Sequence, residues 1–153
     1  MKVSAGILPY RKKGGAIEVY LVHMGGPFWR NKPRAWSIAK GEVQEGENLL
    51  EAAKREFFEE TGQEVAGVFI PLESVKSSGK VIYDWAVEAE PSTEIASNTF
   101  EIEWPPKSGE KARFPEVDKA AWFDLSQARE VLVKSQLPFL ERLEEAIRHE
   151  RNH

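Results

Sequence analysis

The sequence predicts a mixed α/β domain: an α/β/α sandwich with a sheet held between helices. Three features predict it. Strand-like segments rich in Val, Ile, Leu and Tyr flank one central segment of helical period, and helical segments return at the end of the chain. No internal repeat, low-complexity tract or linker divides the 153 residues, so residues 1–153 are read as a single domain. A chain of this size buries roughly two-thirds of its surface on folding, enough for a real core.

The segments VSAGILPY (3–10) and IEVYLVHM (17–24) read as strands, and RKKGGA between them supplies turn chemistry for a hairpin. GGPFWRNKPR (25–34) is a loop by its Gly and Pro content. AWSIAK (35–40) is a short strand leading into Gly41. A helix is expected from about Glu47 to Thr61, with Gly62 at the left-handed position that ends it. Two strands, 65–76 and 80–90, surround the turn SSG. PSTEIASN is read as a loop, TFEIEW (99–104) as a strand and PPKSGEKARFPE (105–116) as a second long loop. KAAWFDL (119–125) is the last strand. Ser126 is expected to cap a helix over QAREVLV, and LPFLERLEEAIRHE carries Pro138 in the first turn of a final helix. The terminal RHERNH reads as a frayed end.

Composition excludes several classes. A formal net charge of −4 gives no support for a nucleic-acid-binding surface. With no cysteine, disulfides, thiolate zinc sites and a cysteine nucleophile are ruled out. The three histidines, His23, His149 and His153, are too scattered to suggest a metal cluster. The N-terminal stretch lacks the apolar core of a signal peptide, and no segment approaches the ~20 apolar residues that span a bilayer. The expectation is a cytoplasmic protein with no membrane partner; the sequence sets no oligomeric state.

The informative stretch is GEVQEGENLLEAAKREFFEETG (41–62), which holds seven Glu. With Leu49 at zero on a helical wheel, Ala53, Phe57 and Leu50 fall between about 40° and 100° and form one apolar stripe. Glu60 then lies near ~20° and Glu56 near ~340°, within or at the edge of that stripe, and Glu59 near ~280°. A solvated face explains Glu51, near ~200°, but not Glu60. A carboxylate on the core side is partly desolvated and needs a partner. Two carboxylates ~6 Å apart repel by about 3 kcal/mol at an effective dielectric of 20. Arg55, one turn before Glu59, offsets one carboxylate and not all three. Both an ion-pair network and a bound divalent cation answer the problem. Oxygen-only ligation would select Mg²⁺ or Mn²⁺.

The spacing Gly41, five residues, Glu47, seven residues, then Arg55-Glu56-Phe57-Phe58-Glu59-Glu60-Thr61-Gly62 resembles the Nudix box, G-x5-E-x7-R-E-U-x-E-E-x-G-U. All seven fixed residues are present, a chance match on the order of one in 10⁸ per starting position. Gln63 stands where the family has an apolar residue, a position that serves packing. The GGPFW loop, WS-x-x-KGE and FPEVD-x-A-x-WF are similar to a group of bacterial-type predicted NTP pyrophosphohydrolases. Ala39 replaces that group's more frequent proline, which would loosen the turn into the box.

The resemblance implies a Nudix-type sandwich whose mixed sheet carries the catalytic helix, and a Mg²⁺-dependent hydrolase of phosphoric anhydrides. Its substrate would be a nucleoside or dinucleoside polyphosphate. It further implies that Glu56, Glu59 and Glu60 bind metal with the Gly41 carbonyl, that Glu56 also acts on the attacking water, and that Arg55 and Glu47 orient these groups. Lys40 is placed to touch a phosphate. A further carboxylate after the box is often the general base; of Glu101, Glu103, Glu110, Glu116 and Asp118, Glu116 is favoured because FPE leads into the late strand. Phe28 and Trp29 are candidates to stack a base, against the plainer reading that they pack their loop. Arg11 and Lys107 are candidate phosphate contacts, and Trp36, Trp85, Trp104 and Trp122 are read as buried in or beside strands. ADP-ribose or nucleotide-sugar cleavage, and a Nudix-fold sensor that binds a nucleotide without cleaving it, are the rival readings.

Overall fold

The computed structural model describes residues 2–151. Nine strands and three helices run in the order β1 (Lys2–Lys13), β2 (Ala16–Met24), β3 (Trp36–Ser37), β4 (Ala39–Glu42), α1 (Leu49–Thr61), β5 (Ile70–Ser77), β6 (Lys80–Glu88), β7 (Thr99–Glu103), β8 (Lys111–Pro115), β9 (Val117–Asp124), α2 (Leu125–Val131) and α3 (Leu137–Arg151). Seven strands form a mixed sheet in which β1 pairs with β6 in parallel and every other pairing is antiparallel. β7 and β8 form a separate two-stranded sheet.

Strand alternation sends successive residues to opposite faces, and here both faces are covered. Leu8, Tyr10, Val19 and Leu21 enter a layer with Ala128, Leu132, Phe139, Leu140, Leu143 and Ile147 of α2, α3 and the turn between them. Ala5, Ile7, Tyr20 and Val22 enter the layer covered by Ala52, Ala53 and Phe57 of α1. Burial on both sides explains why β1 and β2 read as nearly continuous apolar runs.

One irregularity positions the site. β1 and β2 pair only from Tyr10↔Val19 to Lys13↔Ala16 and then part. Residues 36–42 fill the opening: Trp36 and Ser37 pair with β2, and Ala39 to Glu42 pair with β1. The single strand expected over 35–40 is therefore two short strands separated at Ile38, which is buried in the α3-side layer. Ala39 is buried and in register with Ile7, so the absent proline leaves a strand pair and not a loose turn.

Other expectations also need correction. The strand expected from 65 begins at Ile70; Val65 and Phe69 pack against the α1-side layer without joining the ladder. The second long loop contains β8, whose Ala112 and Phe114 alternate with exposed Lys111 and Arg113. α2 is capped by Asp124, not Ser126: its carboxylate accepts from the Gln127 N–H while Gln127 reaches back to the Asp124 N–H, a reciprocal pair. α3 continues to Arg151 through the segment read as frayed, and His153 lies outside the described residues. Trp36, Trp85 and Trp122 pack against the cores, whereas Trp104 follows β7 outside the main sheet. Among the described residues, no helix is long and apolar enough to cross a membrane.

Candidate active site

Local chemistry fixes both ends of α1. The Asn48 side chain accepts from the Glu51 N–H at 3.1 Å, the usual first-turn cap. At the other end Gly62 takes φ 75° and its N–H bonds Phe58 O, a conformation costly for a residue with a Cβ. Buried Ala52, Ala53 and Phe57 set the rotation of the helix. That rotation leaves Phe58 52% exposed and brings Glu60, only 9% exposed, against the strand crossing.

Arg55 is the hub. Its Nε and Nη2 bind the two carboxylate oxygens of Glu47 at 2.8 and 2.9 Å. Nη1 reaches Glu56 Oε1 at 2.8 Å and Glu59 Oε2 at 3.0 Å, and Nη2 also donates to Glu42 O. One guanidinium thus orders three carboxylates and the chain after Gly41, a use suited to its planar fork of donors. The hydrogen bonds to Arg55, with help from the Gln44 N–H, hold Glu47 down to about 2. Glu47 and Glu56 in turn raise the Arg55 guanidinium.

Arg55 does not reach Glu60. That carboxylate accepts the Lys40 N–H at 3.2 Å. Burial pushes its pKa up to about 8; Lys40 opposes the shift, and Glu56 and Glu116 add to it. Glu56 is also raised, first by burial and then by Glu59, against the pull of Arg55. Gly41 has no side chain for a steric reason: a Cβ there would run into the Glu56 carboxyl group.

Lys40, Gly41, Glu42, Glu56, Glu59, Glu60, Asn98 and Glu116 line a cavity of about 320 Å³. A second cavity of about 210 Å³ shares Lys40, Glu60 and Glu116 with it, and is otherwise walled by residues that include Trp29, Phe100, Val22, Ser37 and Ile38. The two adjoin as an acidic half and an aromatic half.

Glu116 reaches this junction through the backbone. Asn98 N–H donates to Glu59 O at 2.9 Å, Glu116 N–H to Asn98 O at 2.8 Å, and Gly25 N–H to Glu116 O at 2.9 Å. The chain of bonds ties α1 to the 91–98 loop, the end of β8 and the GGPFW loop. At Gly25 a Cβ would collide with Pro115 O, so the approach requires glycine. Gln63, polar where packing was expected, clamps the same loop: its amide exchanges two hydrogen bonds with the Ser92 backbone at 2.8 and 2.7 Å.

The candidate residues do not all converge. Glu56, Glu59, Glu60, Gly41, Lys40, Glu116 and Trp29 line one or both cavities, and Arg55 and Glu47 stand behind them. Phe28 lines neither cavity; it is 60% exposed and meets Trp104 edge-on at 6.0 Å. Arg11 is held by Glu18 at 2.8 Å over Trp122, away from both cavities, and Lys107 lines neither. Of the other late carboxylates, Glu101 pairs with Lys111 and Arg113, Glu103 accepts the Lys107 N–H, and Asp118 binds His23. Sequence reasoning missed Asn98 and Phe100. The alternation Phe100-Glu101-Ile102 carried a signal that Phe100 faces inward, whereas nothing local marks Asn98.

The donors suit a hard divalent cation. They are all oxygens, one carboxylate is buried beside two others, and the Gly41 cradle would be closed by a methyl group. Among the described residues, no three acidic or imidazole groups are already drawn together as a cation cage. Arg55 holds Glu56 and Glu59 in the positions described.

A mixed sheet between helices, with this acidic helix at a split in the sheet, defines a class. A family model of the NUDIX domain matches residues 1–143, and the chain belongs to that family. It is 33% identical over 57 residues to an RNA pyrophosphohydrolase of Rhizobium meliloti (strain 1021), a match spanning 37% of this chain and 34% of that protein. The chain thus aligns with about a third of the length of that relative. The fold is similar to that of a C. elegans Ap4A hydrolase in a binary complex, with a TM-score of 0.69, 20% identity and coverage of 97% and 99% of the two chains. It is also similar to the NUDIX domain of Shewanella oneidensis NrtR complexed with ADP ribose, with a TM-score of 0.64, 16% identity and coverage of 95% and 87%.

Proposed function

We propose that this chain, acting as one domain over residues 1–153, is a pyrophosphohydrolase. It cleaves a diphosphate linkage in a nucleoside or dinucleoside polyphosphate with Mg²⁺, or with Mn²⁺ in its place. The observation that carries the reading is the junction at Lys40, Glu60 and Glu116, where an acidic cavity opens into an aromatic one. A phosphate chain and a planar base have the shapes and chemistries of the two halves.

Glu56, Glu59, Glu60 and the Gly41 carbonyl are the groups that would hold the cation. When bound, it supplies positive charge to the phosphate oxygens and makes water a stronger acid. Lys40 adds a positive charge beside the phosphates. Arg55 keeps the Glu56 and Glu59 carboxylates aimed, and Glu47 keeps Arg55 in place. Glu116 is assigned as the base that takes the proton of the attacking water, with Glu56, which lines the same cavity, as the alternative. As the new P–O bond forms, the bridging P–O bond breaks and its electron pair leaves with the departing phosphate. Trp29 and Phe100 offer aromatic surface to the base; Phe28, outside the cavity, is left without this role.

A second reading, nucleotide binding without cleavage, is prompted by the likeness to the NrtR domain with ADP ribose. The complete set of Arg55, Glu56, Glu59 and Glu60 favours cleavage, because a pure binder needs no such set. A panel of nucleoside triphosphates, dinucleoside polyphosphates, ADP-ribose and nucleotide sugars, assayed with Mg²⁺ and product identification, tests the proposal. Cleavage of a polyphosphate supports it, cleavage of ADP-ribose or sugar nucleotides alone replaces its substrate class, and tight binding without turnover favours the sensor.

A further inference from the structure

β9 contains a bulge, and its extra residue is Asp118. His23 pairs with Lys119 but Met24 pairs with Val117, so Asp118 has no partner across the ladder. The consequence is visible in burial. Val117 and Ala120, three residues apart, enter the same α1-side layer, with two exposed residues between them. A regular strand sends residues two apart to one face, so only the inserted residue allows both.

The bulge is held in place. Asp118 Oδ1 lies 2.8 Å from His23 Nδ1. The His23 ring meets Trp36 edge-on at 5.2 Å, and Trp36 is its ladder partner on β3. Trp36 also packs edge-on against Phe123 at 4.8 Å and carries the Lys119 ammonium over its ring. His23 therefore joins β9, which begins directly after Glu116, to the segment that leads to Lys40 and Gly41. Glu116 lies two residues before Asp118, and its own backbone bonds run to Asn98 and Gly25.

We infer that the His23–Asp118 pair is a positioning device that fixes the β9 bulge and thereby aims Glu116 at the junction of the two cavities. Neither His23 nor Asp118 lines either cavity; they act through Glu116. The functional half of this inference rests on the role proposed above for Glu116, and the structural half does not.

The two halves separate in one experiment. Amide hydrogen exchange is measured on the full chain for wild type, Asp118→Ala, His23→Leu and Asp118→Asn, and polyphosphate hydrolysis is measured on the same proteins and in a Glu116→Gln background. In both Asp118→Ala and His23→Leu, the Gly25 and Glu116 amides are expected to lose at least tenfold in protection while Leu21 and Phe57 keep theirs. Asp118→Asn, which retains an acceptor for His23, restores it. The rate falls about tenfold or more in Asp118→Ala, and this loss disappears when Glu116 is already Gln, because residues acting through one group are not additive.

Unchanged protection at Gly25 and Glu116 overturns the positioning role whatever the activity. An Asp118→Ala rate loss that persists undiminished in the Glu116→Gln background overturns action through Glu116. Lost protection together with full activity in Glu116→Gln leaves the bulge pin standing and removes the proposed role of Glu116 instead.

Discussion

Arg55 and Glu47 share two parallel hydrogen bonds, 2.8 Å from Nε and 2.9 Å from Nη2. The pair is 26% and 18% exposed at the side chains, so solvent screens it only in part. Because the same guanidinium also orders Glu56 and Glu59, its loss is felt twice. Arg55→Ala is expected to cost about 1.5–3 kcal/mol of stability, the range for hydrogen bonds to charged groups, and to lower hydrolysis as well. Arg55→Lys restores neither fully, since an ammonium cannot form the paired bonds. Urea titration alongside kcat measurement checks this, and a variant with wild-type stability and rate contradicts the role of Arg55.

Glu59→Gln and Glu60→Gln are each expected to lose ~10²-fold or more in rate with the fold retained, since each removes a charge from the proposed cation site. The two should differ in stability. Glu60 is buried beside Glu56 and Glu116, so the neutral amide at this position leaves the metal-free protein as stable or more so. Thermal melts of the metal-free variants, set beside their turnover, separate the two effects. Ordinary turnover in either variant counts against the assignment.

Cation binding should release a proton. With Glu60 raised to about 8 in the metal-free protein, the carboxyl is largely protonated at neutral pH and must ionise to bind a cation. Mg²⁺ or Mn²⁺ affinity then rises up to about tenfold per pH unit as pH climbs toward about 8 and flattens above it. Calorimetry in two buffers of different ionisation enthalpy reads the proton directly. Equal apparent enthalpies in both buffers at pH 7 contradict the prediction.

Asp84 tests the fold apart from the site. It is 1% exposed, and among the described residues neither side-chain oxygen has a hydrogen-bond partner of good geometry; burial, against a weaker pull from the Trp85 N–H, raises its pKa well above 3.8. In the window between 3.8 and that raised value the folded state keeps a proton that the unfolded state releases. Stability therefore falls as pH rises through the window, by up to about 1.4 kcal/mol per unit from this group. Asp84→Asn removes that slope and is expected to raise Tm at pH 7. A parallel pH–stability profile for the variant and wild type contradicts the account.

Legibility in the sequence followed the range of the interactions. α1 was readable because its caps, apolar stripe and acidic spacing all lie within one short segment. Both strands of the first hairpin were readable from nearly continuous apolar runs rich in Val, Ile, Leu and Tyr on either side of a Gly-Gly turn. β8 was missed because its alternation spans only Lys111–Pro115 and follows a stretch of Pro, Ser and Gly. Asp124 was missed as a cap because it sits at the end of a strand whose last residue doubles as the helix start. The acidic cavity was legible along α1 and in Lys40-Gly41, and Glu116 was reached from the approach of FPE to the last strand. Asn98 and Phe100 enter by tertiary contact from the 91–98 loop and the separate hairpin. Phe28 and Trp29 are neighbours in sequence, yet only Trp29 meets the cavity, a division set by how the GGPFW loop docks at Gly25.

The central claim is that the acidic cluster of α1 holds a divalent cation against a diphosphate. Crystals grown with Mn²⁺ and a non-hydrolysable nucleoside polyphosphate test it most directly, through the anomalous signal of the metal. The account predicts density bridging the phosphates and the carboxylates of Glu56, Glu59 and Glu60, with the Gly41 carbonyl beside it. A nucleotide bound elsewhere, or bound in the cavity with those carboxylates still engaged only by Arg55 and Lys40, would contradict it.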